Sequence, residues 1–171
     1  MLARIHLLFI GLTFLSASTL AQALDFAGMR PSDGPTNPML VMGTRGLGGT
    51  RIAAELTKVD PTISRWALGS VGDYVVILNA VANEALTVAA PVGNGQQVAV
   101  TTYTGADTQL WKATNVVGVL WTFAPKLAPQ LILQTQNGAL TIGTPLTVAP
   151  PTPGPGGVGV IPSQMWVYPQ R

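Results

Sequence analysis

Asp107-Thr108-Gln109-Leu110-Trp111-Lys112 decides the reading of this chain, because something close to it is said three times. Ser64-Arg65-Trp66-Ala67-Leu68 comes before it, and Ser163-Gln164-Met165-Trp166-Val167-Tyr168 follows near the end. Trp66, Trp111 and Trp166 are therefore 45 and 55 residues apart. Two of the copies read Gln-x-Trp, and the first has Ser64 in place of Gln. A landmark repeated at a near-even period points to one supersecondary unit that has been copied. A large aromatic recurring once per unit, flanked by apolar residues, is best used as shared core. Trp66, Gln109, Trp111, Gln164 and Trp166 are accordingly expected to be structural.

Outward from that stretch, the middle unit is the clearest. Gly72-Asp73 turns into the β-formers Tyr74-Val75-Val76-Ile77-Leu78-Asn79, and Ala85-Leu86-Thr87-Val88 follows. After the turn Val92-Gly93-Asn94-Gly95 comes Val98-Ala99-Val100-Thr101-Thr102-Tyr103, and then Gln109-Leu110-Trp111. Four short strands at this spacing are the pattern of all-β barrels and sandwiches. The third unit expects strands over Val116 to Phe123, Leu131 to Gln134, Ala139 to Ile142 and Leu146 to Val148. A Pro/Gly loop, Pro150 to Gly157, precedes the last strand at Met165 to Tyr168 and accounts for much of the longer final interval. In the first unit Met39 to Met42 and Arg51 to Leu56 are short strand candidates. Gly43 to Gly49 between them lacks the Gly-Lys-Ser/Thr ending of a phosphate-binding loop and is expected to be a turn. No apolar period of 3.6 residues persists with caps, so almost no helix is expected.

The chain of 171 residues divides accordingly. Residues 1–23 carry Arg4, an apolar run from Leu7 to Leu15 and a small-residue ending at Ala21-Gln22-Ala23, the layout of a secretory signal peptide. The run is well short of the roughly 20 residues that span a bilayer. Residues 24–37 read as an irregular lead-in, and 38–171 as one all-β domain with repeats at about 38–68, 69–113 and 114–169. The localisation expected is secreted, extracellular or periplasmic, with no membrane insertion of the mature chain.

Composition excludes much chemistry. There is no cysteine, and the one histidine, His6, falls within the signal segment. That leaves no disulfide, no thiolate or imidazole metal site, and no histidine general base. Nine Lys and Arg face seven Asp and Glu, without a basic cluster, so no nucleic-acid partner is expected. Asp73, Glu84 and Asp107 lie in one repeat beside turn signals, and no spacing forces two of them together as a glycosidase needs. Lys58, Lys112 and Lys126 follow no Ser-x-x-Lys arrangement. No catalytic residue, cofactor or metal is expected.

Three units of four strands closed by Gln-x-Trp resemble the ricin-B-type lectin family, whose fold is the β-trefoil. The resemblance covers roughly Pro38 to Tyr168 and is strongest in the middle unit. There Ala85-Leu86-Thr87-Val88 looks like the family's Leu-Asp-Val strand, and Gly95-Gln96-Gln97-Val98 fits its Gly-x-x-Val step. The family holds sugars with the Asp of the first motif and an aromatic three residues after the Val of the second. Thr87 and Thr101 stand at those positions here. Leu131 to Gln134, Val148 to Pro151 and Met39 to Met42 likewise offer no acid, so the family constellation is altered in every repeat.

What this implies is a non-catalytic binding module for a glycan or an extracellular protein, with any sugar held by residues other than the family's. Two alternatives stay open. One is a protein-binding trefoil, such as a hydrolase or protease inhibitor presenting Gly43 to Arg51 or Pro150 to Gly159. The other is a self-associating structural protein, which suits the low charge and a mean hydropathy of +0.38.

Overall fold

The computed structural model describes residues 29–31, 40–47, 50–58, 65–79, 83–157 and 159–168, with backbone alone at Pro31 and over 40–47 and 50–58. The expected signal peptide, 1–23, lies outside the described residues.

β-Branched and aromatic runs form strands wherever a turn residue lets the chain reverse. Among the described residues these are β1 (Arg30–Pro31), β2 (Leu40–Leu47), β3 (Thr50–Lys58) and β4 (Trp66–Val71). The second repeat gives β5 (Tyr74–Asn79), β6 (Glu84–Thr87), β7 (Ala99–Thr102) and β8 (Leu110–Val117). The third gives β9 (Leu120–Pro125), β10 (Ile132–Thr135), β11 (Leu146–Ala149) and β12 (Trp166–Val167). The described helices are single 3-10 turns. Six strands pair antiparallel in the order β1-β12-β9-β8-β5-β4, two from each repeat. The remaining six make three antiparallel hairpins, β2–β3, β6–β7 and β10–β11, one per repeat. This is the β-trefoil arrangement: a curled six-stranded sheet with three hairpins across one end.

The three landmark tryptophans meet in one core. Trp66, Trp111 and Trp166 are each 0% exposed and belong to a single apolar cluster with Ile77, Leu86 and Leu133. Burying an indole of this size removes ~150–250 Å² from water, worth about 4–6 kcal/mol at ~25 cal/mol/Å². For Trp111 and Trp166 the indole N–H is satisfied within the residue's own repeat. Trp111 Nε1 donates to Leu86 O on β6, and Trp166 Nε1 donates to Leu133 O on β10, both at 3.1 Å. β8 and β12 are thus each bolted to the hairpin of their own unit. Between units, the loop before β7 bonds to β11: Gly95 N donates to Val148 O (2.7 Å), and Val98 N to Leu146 O (2.9 Å).

Several segments differ from the sequence reading, each for a local reason. Arg30–Pro31, inside the expected irregular lead-in, pairs with β12, and Met29 beside it is fully buried in the core. Gly43 to Leu47 is strand rather than turn. A register shift between Arg45 and Gly46 lets β2 run on, and the reversal falls between Leu47 and Thr50. Val116 to Phe123 is not one strand but the reversal from β8 to β9 at Gly118-Val119, with Gly118 at φ +54°. Ala139 to Ile142 is not strand either. Asn137 and Gly138, at φ +54° and +70°, take the chain through a 3-10 turn that ends the β10 ladder.

The matched bonds align the two repeats: Leu86 with Leu133, Thr87 with Gln134, and Val88 with Thr135. Val88 is core, whereas Thr135 brings a fully buried hydroxyl that meets no hydrogen-bond partner. An unmade bond of that kind costs about 1–3 kcal/mol. Thr135→Val is therefore expected to stabilise the fold by about 1 kcal/mol or more, raising the urea midpoint at unchanged m-value. A lower midpoint would mean that the hydroxyl is satisfied.

Candidate functional site

The two positions where the resemblance places sugar-binding groups, Thr87 and Thr101, come together across the β6–β7 hairpin. Their strands pair Ala85 with Thr101 and Thr87 with Ala99. The two hydroxyl oxygens lie 2.7 Å apart, Thr101 on the exposed rim and Thr87 half-buried below it. Gln109, buried and in the 3-10 turn Asp107–Gln109, reaches up from beneath them. Its Nε2 donates to Thr102 O (2.8 Å), Thr101 Oγ1 (3.1 Å) and Thr87 Oγ1 (3.3 Å). Its Oε1 accepts from Thr104 N (2.8 Å) and Thr104 Oγ1 (3.1 Å).

Counting protons fixes how this cluster is used. An amide NH₂ has two, so one goes to Thr102 O and the other is shared by the two threonine oxygens. Thr87 Oγ1 donates its own proton to Ala85 O at 3.0 Å. In the 2.7 Å pair Thr101 must then be the donor and Thr87 the acceptor. Both hydroxyl protons are spent inside the protein. The one lone pair left unused is on Thr101, which is exposed. A sugar hydroxyl arriving here can donate one hydrogen bond and receives none.

The third repeat builds the same scaffold from different groups. Gln164, fully buried in the 3-10 turn Pro162–Gln164, donates through Nε2 to Pro150 O (2.9 Å) and Gln134 Oε1 (3.0 Å). Its Oε1 accepts from Thr152 N at 2.8 Å. Thr152 and Pro150 thus play the parts of Thr104 and Thr102, and Gln134 that of Thr87. Ala149 stands where Thr101 is. The Gln of Gln-x-Trp is therefore a clamp on the hairpin's backbone, and in both repeats it also donates to the side chain at position 87 or 134. Sequence reading did not single out Gln134 or Thr104. The repeat offset of 47 or 48 residues was the signal that could have found them.

Charged groups lie elsewhere. Lys126 Nζ meets Asp107 Oδ1 at 2.6 Å and lies over the Tyr74 ring, 5.2 Å from its centroid, while Lys112 Nζ lies over the same ring at 6.0 Å and donates to Asp73 O. These are partly exposed pairs, worth at most about 1 kcal/mol. Glu84 is on β6 opposite Thr102. Among the described residues no three His, Cys, Asp or Glu side chains gather as a metal site would require.

No protein-family model matches the sequence, and no curated protein does. Solved structures do. A designed three-fold symmetric protein, ThreeFoil, superposes with a TM-score of 0.66 at 14% identity, over 83% of this chain and 96% of its own. The Macrolepiota procera ricin B-like lectin in complex with lactose gives 0.63 at 12% identity, over 84% of this chain and 93% of its own. A mosquitocidal holotoxin gives 0.68 at 18% identity over 85% of this chain, which spans only 17% of that much longer protein. At these identities the likeness is one of fold.

Proposed function

We propose that this chain, a β-trefoil with the shape of a ricin B-like lectin, is a non-catalytic binding module that works outside the cell and takes neutral saccharides with low affinity. The observation that carries this is the hydroxyl and amide cluster Thr87–Thr101–Gln109 on the rim of the best-kept repeat. It offers a neutral acceptor in place of a carboxylate, and a methyl in place of a ring. A charge-assisted hydrogen bond is worth ~1.5–3 kcal/mol, so its loss alone lowers affinity by at least about tenfold.

Titration calorimetry with lactose is expected to show no binding below millimolar concentrations. In Thr87→Asp/Thr101→Trp, a carboxylate would stand within reach of the Gln109 amide, which would orient it, and an indole would cover the sugar's apolar face. That variant is expected to gain about two decades in affinity. Tight lactose binding by the wild type, lost in Thr101→Ala, would overturn the reading. A screen of immobilised neutral polysaccharides against the purified domain then identifies the ligand.

A further inference from the structure

Pro150-Pro151-Thr152-Pro153 follows β11 directly and takes the place that Thr102-Tyr103-Thr104-Gly105 holds in the second repeat. A sheet gains nothing from the exchange. In the second repeat the ladder runs on to Glu84–Thr102, and Tyr103 N then donates to Asn83 O at 3.0 Å. Pro151 has no N–H to make that bond, and the β10–β11 ladder stops at Ile132–Ala149, one pair earlier. What the prolines impose instead is an extended chain. Each ring fixes its own φ, and each keeps the residue before it (Ala149, Pro150 and Thr152) out of the helical region. The peptide bonds into Pro150, Pro151 and Pro153 are trans. Residues restricted in this way take the polyproline II form, with about three residues per turn, so Pro150 and Pro153 share one edge of it.

The fold ties this segment down without covering it. Gln164 donates through Nε2 to Pro150 O (2.9 Å) and accepts through Oε1 from Thr152 N (2.8 Å), while Ile161 N donates to Thr152 O (2.9 Å). Pro150, Pro151, Thr152 and Pro153 are nonetheless all exposed, and the run ends at Gly154, which is buried. Among the described residues no donor reaches Pro151 O. The sequence has no Asp, Glu, Lys or Arg from Leu127 to Gln170, so no charge flanks the segment. A preformed, exposed Pro-x-x-Pro edge with an open carbonyl is what a groove walled by aromatic rings takes up. Because the Gln164 clamp has already fixed the backbone, little conformational entropy is left to lose on docking. We propose that Pro150–Pro153 is a docking segment for a protein with such an aromatic-lined, proline-reading groove. The contact is made by rings and a carbonyl, not by ions, and so it is insensitive to salt. It is independent of the saccharide reading.

The test is surface plasmon resonance of the purified full chain over immobilised WW and SH3 domains, at low and high salt. Wild type is expected to bind at least one of them saturably at micromolar concentration, undiminished by salt. Pro150→Ala/Pro153→Ala is expected to melt much as the wild type does, since both rings are exposed, and to bind about tenfold less tightly or weaker still. Pro153→Ala alone gives a partial loss, and serves if the double variant misfolds. No saturable binding of folded wild type to either domain overturns the inference. So does binding that both variants keep at full strength, which would mean that the prolines only end the strand. Binding that vanishes in high salt also overturns it, because a charged surface elsewhere would then be the contact.

Discussion

Trp111→Ala is expected to lower the free energy of unfolding by about 3–5 kcal/mol. The indole is wholly buried where β8 meets the β6–β7 hairpin, and its N–H is bonded to Leu86 O. Removing it forfeits the transfer energy of the ring, leaves a cavity and frees a buried carbonyl. With only ~5–15 kcal/mol holding a domain together, the loss is a large fraction of the whole. Urea unfolding followed by circular dichroism measures it. A variant that unfolds like wild type but loses a ligand would show that Trp111 is a contact residue and not core.

Gln109→Leu is expected to cost about 2–4 kcal/mol, although leucine is the more hydrophobic residue. The substitution leaves Thr104 N and Thr102 O without their partners in a part-buried place, and each unmade bond costs ~1–3 kcal/mol. It also releases Thr87 and Thr101 from the shared amide. Gln109→Glu separates the two faces of the clamp, since it keeps an acceptor for Thr104 and gives up the donor to Thr102. An intermediate loss is expected for it in the same denaturation series. If Leu is tolerated without loss, the side chain is filling space and not tying the hairpin to the closing strand.

How far the sequence reaches can be seen from particular residues. Tryptophan spacing alone anticipates three units, because only a residue that cannot be moved out of a shared core recurs so regularly. β5 was legible to the residue, since six consecutive β-formers follow a Gly-Asp turn. Ala139 to Ile142 was not, because its β-formers are overruled by two left-handed residues just before it, and such a contest between propensity and turn geometry is settled by tertiary fit. The two threonines could be located from motif spacing. Their coupling to Gln109 could not, because it depends on which atoms of a neighbouring strand converge, a matter of register across 22 residues of chain. First-unit glycines misled for a related reason: a bulge lets a strand absorb a residue that otherwise signals a reversal.

The pairing of β1 with β12 has one more consequence. Arg30 lies opposite Val167, and Pro31 opposite Trp166, so the first and last described strands are neighbours in the same sheet. Meanwhile the Trp-to-carbonyl bolts each close within a single repeat. Which unit comes first along the polypeptide is then a question of connectivity and not of packing. A short linker between those two strands, with new ends opened at the Gly72-Asp73 turn, would read the units in the order two, three, one while preserving both bolts, so the architecture is circularly permutable.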